Sequence, residues 1–278
     1  MSEKSTFFCF GPPKSGTTLL QQCLNLHPMV SCPSEHHLDF LFERFKLLFQ
    51  EYNRGLDVTD LRTGGQGATH IPPASATNIF RSVVNEILNF SAQHKPISGI
   101  NDNSLFSCFP LFKQLFPQAK FIAIFRHPIP RAVSAWQHNL LVAQDEHDPT
   151  HLQLLCQGKS YDDWILLLAD QFNLSVSHYQ NAFANDPNAM AIKYEDLVID
   201  KNNVLNRLFR FLAASEDQTT IQKIVDMTKF EVMRSKARRP HFFRSASTAS
   251  EDESVSNELQ NEVRKRTESS LSFLGYSG

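Results

Sequence analysis

The chain has 278 residues, 41% of them hydrophobic and 20% charged, with a formal net charge of −2. That is enough chain for one substantial core, and the near-neutral balance excludes an overall basic, nucleic-acid-binding surface. The five cysteines, Cys9, Cys23, Cys32, Cys108 and Cys156, are odd in number and show no C-x-x-C spacing, against a disulfide framework or a zinc site.

The first predicted element is a buried strand at 6–10, Thr6-Phe7-Phe8-Cys9-Phe10. Gly11-Pro12-Pro13-Lys14-Ser15-Gly16-Thr17-Thr18 follows and leads into a helical pattern at 18–26. A strand, a glycine-bounded loop and a helix N-terminus form an anion site from backbone N–H groups and the helix dipole. The two glycines keep the spacing of the nucleoside-triphosphate loop G-x-x-x-x-G-K-[ST], but Thr17 stands where its lysine belongs, and the lysine is displaced to Lys14. The displacement argues against an ordinary ATPase or kinase and for a different phosphoryl-like group.

Helical patterns follow at 38–51 and 77–93, a strand at 96–100, a helix at 105–115 and a strand at 120–125. Helices at 129–142 and 162–183, a strand at 189–193, and helices at 201–212, 220–227 and 258–271 complete the series. Thr59 or Asp60 and Ser104 read as helix caps. The alternation predicts an α/β fold with a parallel sheet covered on both faces. Residues 63–70, 144–160 and 240–255 read as loops placed to cover a site. In such a sheet ligands bind beyond the carboxyl ends of the strands, where the loop, the residues after Ile100, Arg126 and Tyr194 meet. Arg126 ends the strand at 120–125, where a P-loop NTPase usually places an acidic magnesium ligand. With Ser134 on the following helix it brackets a second anion, giving two anion sites and no obvious magnesium carboxylate.

Several segments resemble the sulfotransferase family. Pro13-Lys14-Ser15-Gly16-Thr17-Thr18 is similar to its 5′-phosphosulfate loop, and Phe125-Arg126-His127-Pro128 through Arg131 to Ser134 to its 3′-phosphate segment. Tyr194-Glu195-Asp196-Leu197 resembles the Y-E-D-L segment whose tyrosine lies near the adenine. Thr228 and Phe230 fall in a T-x-F-x-x-M-like adenine segment, and Phe243-Arg244-Ser245 resembles the late R-K-G segment. The resemblance implies a P-loop NTPase-like three-layer fold with a central parallel sheet flanked by helices. It implies the donor 3′-phosphoadenosine-5′-phosphosulfate (PAPS), the product adenosine 3′,5′-bisphosphate (PAP), and sulfuryl transfer to a hydroxyl or amine without a metal. Lys14 is then the catalytic cation. Pro13, Lys14, Ser15, Gly16, Thr17, Thr18, Arg126, Ser134, Tyr194, Thr228, Phe230 and Arg244 hold the nucleotide.

Two departures matter. The late segment reads Arg244-Ser245-Ala246, so Lys236, Arg238 or Arg239 are candidates for the missing cation. The K-T-H-like histidine of animal and plant cytosolic enzymes is absent from Ile100-Asn101-Asp102-Asn103. His27-Pro28 followed by Glu35 instead resembles the H-P…E arrangement of other branches, including many bacterial enzymes, which implies Glu35 as general base. His36, His37 and Asp102 are its rivals. The likeness to bacterial stand-alone enzymes implies a small-molecule acceptor, a natural product or secondary metabolite. Asp145-Glu146-His147-Asp148, if it lines the acceptor pocket, favours a cationic one. No apolar run approaches the roughly 18 residues of a bilayer span and no leader-like segment is visible. The expectation is a cytoplasmic enzyme, one domain over residues 1–278, with no membrane or nucleic-acid partner. Two other readings stay open: a P-loop kinase acting on a nucleoside or small molecule, and a sulfotransferase-like protein that binds nucleotide without catalysis.

Overall fold

The computed structural model describes residues 5–33, 36–64, 69–92, 94–145, 149–236 and 254–276. Among these, strands β1 (Ser5–Phe10), β2 (Val30–Ser31), β3 (Ile97–Asn101), β4 (Lys120–Phe125) and β5 (Ala189–Lys193) form one sheet in the order β2-β3-β1-β4-β5. Every pairing is parallel. The first helices are α1 (Thr17–Leu26), α2 (Leu38–Thr63), α3 (Pro73–Ser91), α4 (Phe109–Leu115), α5 (Pro128–Asp145) and α6 (Pro149–Leu155). They are followed by α7 (Tyr161–Phe183), α8 (Tyr194–Ile199), α9 (Lys201–Leu212), α10 (Gln218–Met227), α11 (Phe230–Lys236) and α12 (Asn257–Phe273).

The period of two in the strands builds the two cores. On β1, Phe8 and Phe10 enter one apolar cluster while Phe7 and Cys9 enter the other. On β4, Phe121, Ala123 and Phe125 share the first face, and Ile122 and Ile124 the second. Strands buried on both faces read as continuous apolar runs, and these do. Much of the phenylalanine content is explained here: Phe8 stacks on Phe121 at 5.8 Å and Phe10 on Phe109 at 5.7 Å between centroids. On β3, Gly99 leaves room for the Phe7 ring, which a Cβ there would meet at 2.5 Å. All five cysteines are free, and only Cys108 is not fully buried.

The sheet order positions the site. The chain leaves β1 toward β2 and β3, then crosses β1 to lay down β4 and β5, so a crevice opens beyond the carboxyl end of β1. No helix among the described residues is long and apolar enough to cross a membrane.

Some boundaries differ from the sequence pattern. The helix predicted at 38–51 continues to Thr63, so Thr59 and Asp60 lie inside it rather than capping another. The Thr59 hydroxyl donates to the Gly55 carbonyl at 3.0 Å, the back-bonding that lets threonine sit within a helix. The cap expected of Ser104 is supplied by Asp102, whose side chain accepts the Ser104 N–H at 2.9 Å. The short elements β2, α6, α8 and α11 have too few residues to show a period. Of the three expected loops, residues 65–68, 146–148 and 240–253 lie outside the described residues, and 149–155 form α6.

Candidate functional site

The loop after β1 is closed by the Ser15 N–H donating to the Pro12 carbonyl at 3.1 Å. Lys14 and Gly16 both have left-handed backbones, with φ of 69° and 92°. Gly16 starts α1, its carbonyl accepting the Leu20 N–H at 3.1 Å. A Cβ on Gly16 would lie 2.3 Å from Tyr194 Cδ2, so the first residue of α8 lays its ring directly on the loop. The Ser15 side chain is fully buried, and its Oγ has no hydrogen-bond partner among the described residues. What suits a bound oxyanion here is the left-handed loop leading into the N-terminus of α1, where the first backbone N–H groups have no partner within the helix.

A buried cation meets the same tyrosine ring. Arg126 leaves the end of β4 buried, its guanidinium 4.7 Å over the Tyr194 ring. The His127 N–H donates to Glu195 Oε1 at 3.0 Å, and the Tyr276 hydroxyl donates to Glu195 Oε2 at 2.7 Å. Helix α5 then carries Arg131, Ser134 and His138 along one face, at spacings of three and four. Arg131 is buried and its Nη2 donates to the Leu168 carbonyl at 2.6 Å. Burial, and next the charge of Arg126, lower its pKa to about 10.

A third wall is built by the end of α10. Thr228 is buried, its hydroxyl donating to the Ile224 carbonyl at 2.7 Å. Lys201 Nζ donates to the Thr228 carbonyl at 2.8 Å and to its Oγ1 at 3.2 Å. Burial lowers the Lys201 pKa, against a rise from Cys23 and a further lowering from Lys229. Phe230 opens α11 beside this turn, half-buried.

These walls enclose a cavity of about 1220 Å³. It gathers Pro13, Lys14, Gly16, Thr17 and Thr18 from the loop, with Arg126 after β4, Ser134 of α5, Tyr194 of α8, Thr228 at the end of α10 and Phe230 of α11. Ser15 packs behind the loop. Glu35 and Arg244 lie outside the described residues, as do Arg238, Arg239 and the loop residues Glu146, His147 and Asp148. Of the rivals to Glu35, His37 and Asp102 line the cavity, and His36 does not. Asp102 is occupied structurally: Oδ2 accepts the Leu38 N–H and Oδ1 the Ser104 N–H, each at 2.9 Å.

The cavity is biased toward anions. Lys14, Arg126, Arg131, Lys201 and Lys229 line it, against Asp102, Asp200 and Glu231. Asp102 is spent on backbone N–H groups, and Asp200 caps α9 by accepting the Asn203 N–H. Among the described residues no three His, Cys, Asp or Glu side chains group as metal ligands. Sequence reasoning missed Arg131, His138, Trp164 and Lys201 as lining residues. Arg131 carried a signal, three residues before Ser134 on the same helix face. Lys201 carried none, because its partner Thr228 is 27 residues away.

The model of the sulfotransferase family matches residues 6–218. No curated protein sequence matches this chain. Among solved structures, a mouse sulfotransferase complexed with PAP is similar over 97% of this chain and 84% of its own, with 17% identity and a TM-score of 0.55. A retinol dehydratase in complex with androsterone and PAP is similar over 98% of this chain and 82% of its own, with 16% identity and a TM-score of 0.56. The sulfotransferase domain from the curacin biosynthetic pathway is similar over 98% of both chains, with 18% identity and a TM-score of 0.54. Together with the parallel sheet flanked by helices, these likenesses give the fold as P-loop NTPase-like.

Proposed function

Since the chain belongs to the sulfotransferase family, we propose that it moves a sulfuryl group from PAPS to a hydroxyl or amine of a small molecule, releasing PAP. The observation that carries this reading is the loop and a buried cation meeting at one aromatic ring. Gly16 of the loop and Arg126 of the strand end both meet Tyr194, and the same cavity continues to Thr228 and Phe230. A nucleotide with a charged group at each end of its ribose fits that arrangement. The loop's left-handed turn at Lys14 and Gly16, with Thr17 and Thr18 at the start of α1, supplies the cradle for one end, and Arg126 with Ser134 serves the other. That PAP occupies a mouse sulfotransferase and a retinol dehydratase of similar fold supports the same nucleotide here.

The donor, when bound, supplies an activated sulfuryl group on a phosphate leaving group. The chain's own residues do the rest. Lys14 sits in the loop and neutralises charge that grows on the leaving oxygens, with Thr17, Thr18 and the loop N–H groups as fixed donors. Glu35 takes the acceptor's proton, and Arg244 closes on the far phosphate, both from segments outside the described residues. No metal carries a step in this reading, because a cation stands at the strand end where a magnesium carboxylate would. The acceptor is a small molecule of natural-product type, in a cytoplasmic enzyme. A biosynthetic sulfotransferase domain and a complex with androsterone among the similar structures support the acceptor class.

Calorimetric titration with PAP beside ATP, with and without magnesium, tests this. Micromolar binding of PAP, about −8 kcal/mol, without magnesium and with ATP much weaker is the expected result. Magnesium-dependent ATP binding with no PAP binding would install the kinase reading instead.

A further inference from the structure

Building on the sulfotransfer reading, we propose that Tyr276, on the turn after α12, is a positioning residue for the nucleotide site: through Glu195 it fixes the β4–α5 turn that aims Arg126 at the 3′-phosphate. The strand register brings the parts together. Phe125 pairs with Lys193, so Arg126 and His127 leave the sheet beside Tyr194 and Glu195. Arg126 crosses onto the Tyr194 ring at 4.7 Å, while the His127 N–H reaches Glu195 Oε1 at 3.0 Å. That N–H sits at the N-terminal end of α5, where backbone donors have no partner within the helix. Pro128 has none to offer, and the His127 carbonyl already accepts the Arg131 N–H at 3.1 Å. Glu195 is therefore the group that anchors the turn, and a carboxylate there also suits the helix dipole.

What fixes Glu195 is Tyr276. Its hydroxyl donates to Oε2 at 2.7 Å and lies 3.5 Å from the Phe125 carbonyl. Tyr276 is itself held from several sides. Its N–H donates to the Leu271 carbonyl at 2.9 Å, and Lys193 Nζ donates to the Gly275 carbonyl at 3.0 Å. The same ammonium lies 5.2 Å over the Tyr276 ring, and the His127 ring meets that ring edge-on at 5.7 Å. Burial and the neighbouring Glu195 raise the Tyr276 pKa, which keeps its hydroxyl a donor. The strap holds a crowded turn, since Arg126 and Arg131 are both buried and the charge of Arg126 acts against that of Arg131.

The test is Tyr276→Phe, which removes one hydroxyl and keeps the ring. Binding of PAP and of adenosine 5′-phosphate is measured by calorimetry, and amide exchange over residues 126–131 by mass spectrometry. PAP should bind about tenfold more weakly, the size of one charge-assisted hydrogen bond. Adenosine 5′-phosphate, which lacks the group Arg126 holds, should bind unchanged, and exchange over 126–131 should quicken. Equal weakening of both nucleotides, or of neither, overturns the proposal. Glu195→Ala should show the same selective loss, and adding Tyr276→Phe should worsen it no further; additive losses place Tyr276 outside this relay and overturn it. If the unaltered protein binds neither nucleotide, the sulfotransfer reading falls. Exchange at 126–131 then judges the strap alone: faster exchange upholds it, and unchanged exchange ends it.

Discussion

Gly16 carries the tightest steric constraint in the site. Its φ of 92° disfavours any side chain, and a Cβ would sit 2.3 Å from the Tyr194 ring that also lies under Arg126. Gly16→Ala should therefore cost about 1–3 kcal/mol of folding stability and weaken PAP binding by about tenfold or more, since both anion points lean on that ring. Denaturant unfolding and calorimetry read the two effects, and an unchanged binding constant would show that the ring is not the shared support. At this scale the sequence was legible wherever chemistry is written in spacing. Lys14, Gly16, Arg126, Ser134 and Tyr194 stood in motifs and meet at one cavity. Lys201, Tyr276 and the structural role of Asp102 depend on partners 27, 81 and 64 residues away, and no local pattern encodes such pairs.

Among the elements, Asp102 joins two that the chain makes far apart. One oxygen caps the turn beginning at Asn103, and the other accepts the first N–H of α2. Asp102→Ala leaves both donors buried or unpaired and should lower the unfolding free energy by about 1–3 kcal/mol. A denaturant midpoint that does not move would mean water replaces both bonds. A carboxylate committed to two backbone donors is also poorly placed to take an acceptor's proton, which leaves Glu35 and His37 as candidates for the base. The central strands β1 and β4 were legible from their apolar runs, because strands buried on both faces need no alternation to be seen. The end of α2 was not, because its second half is largely solvent-facing and presents no apolar stripe to read.

For the molecule as a whole, acid is the expected weakness. His27 is buried between α1 and the segment before α10, its Nδ1 accepting the Met29 N–H at 3.1 Å and its Nε2 lying 3.0 Å from the Ser215 carbonyl. Burial lowers its pKa, the Ser215 bond opposes this, and Lys95 lowers it further. The folded value thus lies below the unfolded one of about 6.5. Between the two the unfolded chain binds more protons, so stability rises with pH, is complete above about 6.5 and is lost on acidification below it. Unfolding free energies at pH 7.5 and 5.5 should differ in that direction, about 7.5 being the more stable, and His27→Gln should shrink the difference. The buried thiols carry a different consequence. A thiolate is the reactive form, and burial pushes Cys9 and Cys32 up and Cys23 up to about 11. An alkylating reagent added to the native protein should modify Cys108 first, and Cys9, Cys23 and Cys32, which pack in one apolar cluster against the sheet, only as fast as that core opens. The chain thus contains its own clock for global opening, readable by mass spectrometry without any introduced label.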